Sequence, residues 1–488
     1  MIVKDASHFQ GEAQQILTPS TEKEIARILR EANAARTPVT ASGAGTGLTG
    51  ARVPQKGILL STERMNRILQ IDWDGRSPEG SVLLEPGVSL RDLETALKAK
   101  GLFYPPNPGE KKAFIGGTVA TNASGSRSFK YGATRPFVKR LRVLLADGDL
   151  LEIARGHEGK SGDRLEIRTA GGKQLSIPIP DYSMPKVKNA AGYYAKPGMD
   201  LIDLFIGSEG TLGVFTRIEL KVIPAPEAIL GGVLFFDSEG SCFRFVEEVR
   251  KSHSLDPRAL EFFDSKSLEL LLPKHPRIPA GAKGALYFEQ ECRSPERESA
   301  RQAWIQQLDR SSGFVPDPWL SVDPKEQEAF RQFRYDLPAL VNERATRNGF
   351  RKMGTDLAVP DEGAKEMLDF YLMALPESGI PYCLFGHIGE NHLHANLRPK
   401  TQAQLDQALA LYEQLARKAI SLGGTVSAEH GIGKLRIPYL EMMVGKEGLR
   451  QMARVKLALD PNGILNPGNI IPMELLGSDP AGSDPVGS

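Results

Sequence analysis

The sequence predicts an α+β protein of two packed units, the second built on a mainly antiparallel sheet covered on one side. Three observations carry this. At 488 residues the chain exceeds one ordinary core, since domains usually run about 100–200 residues. The 41% hydrophobic and 25% charged fractions are those of a folded globular protein. From about Ala225 onward, apolar strands alternate with helices of charged outer face.

The elements follow in order. Thr21-Glu22-Lys23-Glu24 has capping-box spacing, and Ile25, Ile28, Leu29 and Ala32 recur at helical intervals until Pro38, which predicts an amphipathic helix. Short β-rich runs occupy Gly57 to Ser61, Ile68 to Trp73 and Ser81 to Glu85, and a helix is predicted from Ser89 to Lys100 with Gly101 as its stop. Arg140 to Ala154 reads as a hairpin turning at Asp147-Gly148. Pro224-Ala225-Pro226 ends this first unit, residues 1–225. In the second unit, 226–422, strands are predicted at Gly231 to Phe236, Ala259 to Phe263 and Ala285 to Glu289, with helices at Glu296 to Leu308 and Ala403 to Leu422. A C-terminal segment, 423–476, precedes a tail, 477–488, that repeats Gly-Ser-Asp-Pro and reads as disordered.

Composition also excludes function classes. Lysine plus arginine exceed aspartate plus glutamate by 61 to 60, so nothing in the overall charge supports nucleic-acid binding. Cys242, Cys292 and Cys383 are too far apart for a CxxC knuckle, an iron–sulfur run or a disulfide framework. Lys4, Asp5 and His8 interrupt the stretch where a secretory signal would be apolar, and no apolar run reaches the length of a membrane span. A soluble protein of the cytoplasm is expected, with a peripheral place at the membrane left open.

Two regions carry chemistry. Ser42-Gly43-Ala44-Gly45-Thr46-Gly47 and Gly50 formally match a dinucleotide fingerprint, but the loop runs into Val53-Pro54, which cannot start the helix that fingerprint needs. What remains is a nest of backbone N–H groups able to hold a diphosphate, or a merely flexible loop. Pro86, Gly116-Gly117-Thr118, Thr121-Asn122-Ala123, Gly125 and Ser128 add a density of small residues that lets backbone approach a large flat ligand. Farther on, Gly386-His387-Ile388-Gly389-Glu390-Asn391-His392-Leu393-His394-Ala395-Asn396 reads as strand, turn and strand, with His392, His394 and Asn396 on one face. Ser427-Ala428-Glu429-His430 can fold back beside it. Two histidines and a carboxylate form a ligand set for a cation such as zinc, or a hydrogen-bonded polar cluster under a loop.

With Lys188-Asn189, Gly192-Tyr193, Ile206-Gly-Ser-Glu209-Gly210-Thr211-Leu212-Gly213-Val214 and Asp460-Pro461-Asn-Gly463-Ile-Leu-Asn466 added, the chain resembles the FAD-linked oxidases of the vanillyl-alcohol oxidase (PCMH-type) superfamily. The likeness is to the branch of D-lactate dehydrogenase, the glycolate oxidase flavoprotein subunit and D-2-hydroxyglutarate dehydrogenase, from about residue 15 to 470. It implies a two-part PCMH-type FAD-binding domain, a cap domain holding substrate, and a C-terminal segment returning to the flavin. It further implies Ser42 to Gly47 at the diphosphate, Gly116 to Ser128 on the flavin and adenosine side, and Val214 and Asn466 at the ring. His387, His394 and Glu429 would be metal ligands, His430 the general base, and Arg334 and Asn396 substrate contacts. Glu390, Asn391 and His392 stand where that family has Asp, Gly and Asn. His392 reads as a solvated turn residue, with a ligand role or a substrate contact as the alternatives.

The 36–135 stretch contains neither histidine nor cysteine, so noncovalent FAD is expected. Pro338 replaces the threonine of 2-hydroxyglutarate enzymes, and Lys352 lies only near their lysine, so a second substrate carboxylate is not implied. The implied reaction is oxidation of a small D-2-hydroxy acid, with hydride passing to flavin and electrons to an external quinone, flavoprotein or iron–sulfur partner. The alternatives are an alkylglycerone-phosphate-synthase-like flavoenzyme and a non-catalytic flavoprotein subunit.

Overall fold

A computed structural model describes residues 1–156 and 160–477. Residues 478–488, nearly all of the segment read as a tail, lie outside the described residues.

The first unit has two lobes. Helix Glu22–Ala34 forms as its capping signal dictates: Thr21 accepts a hydrogen bond from Glu24 N at 3.2 Å, while Glu24 accepts one from Ser20 N at 2.7 Å. Its buried stripe of Ile25, Ile28, Leu29 and Ala32 covers a parallel sheet of Gln15–Leu17, Ile58–Ser61 and Val39–Ser42. The second lobe is antiparallel, ordered Leu150–Ala154, Val138–Leu144, Val214–Pro224, Gly80–Leu84 and Ile68–Asp72. The hairpin turns as predicted, with Gly148 at φ +74°. Val214 and Leu144 share one core with the parallel lobe, so strand Val214–Pro224 begins where the lobes meet.

Strand Ala228–Phe236 then opens an eight-stranded sheet in which every pairing is antiparallel. Its centre is Ala228–Phe236, Gly284–Cys292, Pro257–Asp264, Tyr382–His387 and His392–Leu397. The predicted one-sided covering is wrong. Leu234, Phe236, Leu260, Phe262, Leu286 and Phe288 pack with Phe245 and Trp304 on one face, and Val233, Phe235, Phe263 and Ala285 with Phe330, Phe333 and Leu337 on the other. Uninterrupted apolar runs such as Val233-Leu234-Phe235-Phe236 are what a sheet buried on both faces requires. The second cover is helix Pro324–Asn348, capped by Asp323, and it carries Arg334.

After helix Gln402–Ser421 the chain turns at Gly423, φ +77°, and crosses back to the first unit. Val39 N donates to Ile464 O and Asn466 N to Val39 O, both at 2.8 Å, so the C-terminal segment extends the parallel sheet. No helix among the described residues is long and apolar enough to cross a membrane.

Candidate active site

A single cavity of about 1250 Å³ runs from the glycine loop to the histidine hairpin, walled by both units and the C-terminal segment. At one end the chain leaves strand Val39–Ser42 and turns through Gly45 at φ +81°, a conformation that costs glycine nothing. No helix follows; the next element is strand Ile58–Ser61. Opposite lies a helix absent from the sequence reading, Ile115–Ala120, whose two glycines argue against it. Packing decides otherwise, since a Cβ on Gly116 would meet Pro86 Cβ at 2.6 Å.

Ser42, Gly43, Ala44, Gly45, Thr46, Gly47, Pro86, Gly116, Gly117, Thr118, Thr121, Ala123, Gly125, Val214 and Asn466 all line the cavity. Asn122 and Ser128 do not. Asn122 stands behind the wall, accepting from Arg135 N at 2.9 Å and donating to Asn189 O at 3.3 Å, and Ser128 donates to Gly125 O at 2.6 Å and contacts Glu390. Asn466 is fixed by Ala41 N at 2.8 Å and Glu209 O at 3.0 Å. Arg52 lies over the loop, so close that a Cβ on Gly45 would meet its Nη1 at 2.1 Å, and its buried Nε has no hydrogen-bond partner. A half-buried guanidinium whose buried Nε is an unused donor, beside a nest of N–H groups, suits a diphosphate.

At the other end, strands Tyr382–His387 and His392–Leu397 pair so that His387 faces His392 across the turn, and the crossing segment brings Glu429 beside them. His387 Nε2 is 3.4 Å from Glu429 Oε2, His394 Nε2 is 3.3 Å from Oε1, and His430 Nε2 is 3.5 Å from Oε1. The outer nitrogens are anchored: His387 Nδ1 to Glu261 Oε1 at 2.5 Å, and His394 Nδ1 to Thr355 O at 2.8 Å. His387, His392, His394 and Glu429 each present a ligand atom within 4.8 Å of the others. Two imidazoles held at their outer nitrogens with a carboxylate between them is a donor set fit for a borderline divalent ion.

His392 is no solvated turn residue. It is completely buried, because the Glu-Asn-His sequence that reads as an exposed turn lies under Arg250, which donates to the Ile388 and Asn391 oxygens.

Sequence reasoning missed the residues that hold this set in place. Glu261, in strand Pro257–Asp264, accepts from Arg334 Nε at 3.1 Å as well as facing His387. Burial opposes its charge, but Arg334 and His387 outweigh that and bring its carboxyl down to about 2. Burial likewise disfavours the His387 cation, yet Glu261 raises it to about 9. Lys188 Nζ, buried, lies 3.2 Å from Glu390 and 3.4 Å from Glu429. Asp356 is fully buried and accepts from Ser427 Oγ, His430 N and Arg436 Nη1 at 2.7, 2.9 and 2.6 Å. Burial, partly offset by Asp356, pushes His430 down to about 4, so its imidazole is neutral near pH 7. An acid set within the apolar run Ala259-Leu260-Glu261-Phe262-Phe263 was the available signal for Glu261, as a cation next to the glycine nest was for Arg52.

Arg334, Asn396, Pro338 and Lys352 also line the cavity. Among the described residues Arg334 forms no hydrogen bond through its Nη groups.

Residues 225–470 match the model described as FAD linked oxidases, C-terminal domain, and residues 13–154 match the FAD binding domain. The chain belongs to the FAD-linked oxidases. This FAD-linked oxidase is 33% identical over 476 residues to the glycolate oxidase subunit GlcD of Bacillus subtilis (strain 168), covering 95% of this chain and 90% of that one. It is 30% identical over 478 residues to a D-lactate dehydrogenase of Anaerostipes hadrus, covering 96% and 91%. A solved alkyldihydroxyacetonephosphate synthase shares the fold, with TM-score 0.62 at 18% identity over 93% of this chain and 76% of that one. The two-lobed FAD-binding unit with an antiparallel second domain is therefore the PCMH-type architecture expected, and the chain is a flavin-dependent oxidoreductase.

Proposed function

We propose that this FAD-linked oxidase oxidises a D-2-hydroxy acid to the 2-oxo acid, using noncovalent FAD and a divalent cation, zinc by its donor set, at His387, His394 and Glu429. One observation carries the proposal: the glycine cradle, the histidine–glutamate set and Arg334 open into the same cavity. The names of the glycolate oxidase subunit and D-lactate dehydrogenase relatives support it. When bound, FAD accepts two electrons and the cation acts as a Lewis acid on the substrate hydroxyl.

The chain's own residues do the rest. Arg334, aligned by Glu261, offers its Nη groups to the substrate carboxylate as paired donors. Asn396 Nδ2 donates to His394 O at 3.2 Å and forms the neighbouring wall. His430 takes the hydroxyl proton at Nε2. Nδ1 faces Asp356 Oδ2 at 3.4 Å and Arg436 Nη2, which can only donate, at 3.3 Å. Taking a proton at Nε2 requires the tautomer with its hydrogen on Nδ1, directed to Asp356 as Arg436 Nη2 withdraws, and the imidazolium formed is flanked by Asp356 and Glu429. Electrons leave to an acceptor outside the chain, a quinone, a flavoprotein or an iron–sulfur partner.

The test is anaerobic mixing of the holoprotein with glycolate, D-lactate and D-2-hydroxyglutarate while flavin absorbance is followed. Bleaching by at least one of them, abolished by chelation and slowed about 10²–10⁴-fold in His430→Ala, is expected. Unbleached flavin with all three acids refutes the proposal.

A further inference from the structure

We infer that His392 is a fourth protein ligand of the cation, so that three imidazoles and Glu429 hold it; this rests on the cation proposed above. In the motif that carries the family resemblance this position is asparagine, so His392 departs from that motif. A buried histidine that serves only packing or a polar network satisfies its nitrogens, because an unmade hydrogen bond inside a protein costs about 1–3 kcal/mol. His392 is completely buried, and neither ring nitrogen has a hydrogen-bond partner. Nε2 lies 3.0 Å from Asp356 Oδ1 but out of alignment for a bond.

What it does have is company. Its ring centroid is 4.3 Å from that of His394 and 5.3 Å from that of His387. One of its nitrogens falls within 4.8 Å of the ligand atoms of both histidines and Glu429. Its two neighbours each direct one nitrogen to an outer acceptor and the other to Glu429. His392 Nε2 faces the Asp356 carboxylate at 3.0 Å, a neighbour that can orient a metal-bound imidazole once the ring turns to meet it. Three nitrogens and one carboxylate oxygen select zinc, cobalt or nickel over magnesium, manganese or calcium. Four protein ligands would leave substrate to bind only as a further donor to the ion.

Holoprotein stripped by chelation and reloaded with zinc alone is examined by X-ray absorption at the zinc edge, and zinc affinity is titrated for wild type and His392→Asn. Three imidazoles in the wild-type spectrum and an affinity loss of roughly tenfold or more in His392→Asn, with flavin absorbance unchanged, are expected. Bound zinc with only two imidazoles, or wild-type affinity in His392→Asn, overturns the assignment while leaving the cation itself standing. Wild-type protein that takes up no zinc at the site overturns both. The wild-type spectrum decides the matter even where the variant fails to fold.

Discussion

Replacing Lys456 with methionine should cost about 3–5 kcal/mol, the usual cost of stranding one member of a buried ion pair. Lys456 and Asp460 are 1% and 0% exposed and bonded to each other. Lys456 Nζ also donates to Thr211 O at 2.7 Å and Leu465 O at 2.8 Å, while Asp460 accepts from Ile464 N at 3.1 Å and Leu465 N at 2.7 Å. All three ammonium hydrogens are used, and the carboxylate is left with two backbone donors once the lysine is gone. Methionine is nearly as long, so the loss reads as electrostatic rather than as a cavity. The consequence is local to the flavin site, because Leu465 and Asn466 are the residues joined to Val39 and Ala41. Urea unfolding should register the stability loss. Hydrogen exchange in a peptide spanning 460–469 should speed by roughly a hundred- to a few-thousand-fold, which is 3–5 kcal/mol expressed as an opening equilibrium. Asp460→Asn should cost a comparable amount, and the double variant should fall short of the sum by 0.5–3 kcal/mol, about the coupling of contacting residues. A Lys456→Met cost below about 1 kcal/mol, or strict additivity, would refute this account of the pair.

Arg52→Met should weaken FAD binding roughly ten- to hundredfold, matching about 1.5–3 kcal/mol for hydrogen bonds to a charged group, and leave riboflavin binding unchanged; equal losses for both ligands, measured by flavin fluorescence, would remove Arg52 from the diphosphate. Asp264 is buried, and burial raises its carboxyl to about 7 despite the Ser267 N–H and O–H it accepts. Its folded-state value lies above the unfolded one, so its stabilising contribution is complete below about pH 4 and is lost as pH rises through 7, at up to about 1.4 kcal/mol per pH unit. Asp264→Asn should therefore flatten the pH dependence of urea unfolding between pH 4 and 7, and curves that stay parallel would contradict it.

Local signals were legible where one segment suffices. The Thr21 cap with its apolar stripe, the Asp147-Gly148 hairpin and the strand–turn–strand around Gly389 depend on neighbours within a few residues, and each formed as read. The convergence of His387 and His394 with Glu429 followed from a resemblance, not from spacing. What stayed hidden depends on distant partners. Glu261 meets His387 across 126 positions and Asp356 meets His430 across 74, and nothing in either segment names the other. Helix Ile115–Ala120 was illegible because glycine propensity argues against it, while the close approach of Gly116 to Pro86 needs glycine there. His392 was misjudged because flanking polarity suggests exposure, whereas the Arg250 guanidinium seals that turn.

The hidden partners explain how so much charge is tolerated at depth. From the cap helix to the FAD unit runs a file of alternating groups: Arg334, Glu261, His387, Glu429, Lys188 and Glu390, each within 3.4 Å of the next. No member faces a like charge as its nearest neighbour, so each buried ion is compensated on both sides except at the ends of the file. With His387 protonated, as its raised value of about 9 makes it near pH 7, the file holds three cations and three anions and is neutral. A divalent cation at His387, His394 and Glu429 would displace the His387 proton and take the file to +1, and a 2-hydroxy monocarboxylate brought to Arg334 would return it to zero. A buried site is cheapest to form near neutrality. Neutral with that proton in place, the file would carry, once a metal replaced it, a charge that one carboxylate cancels.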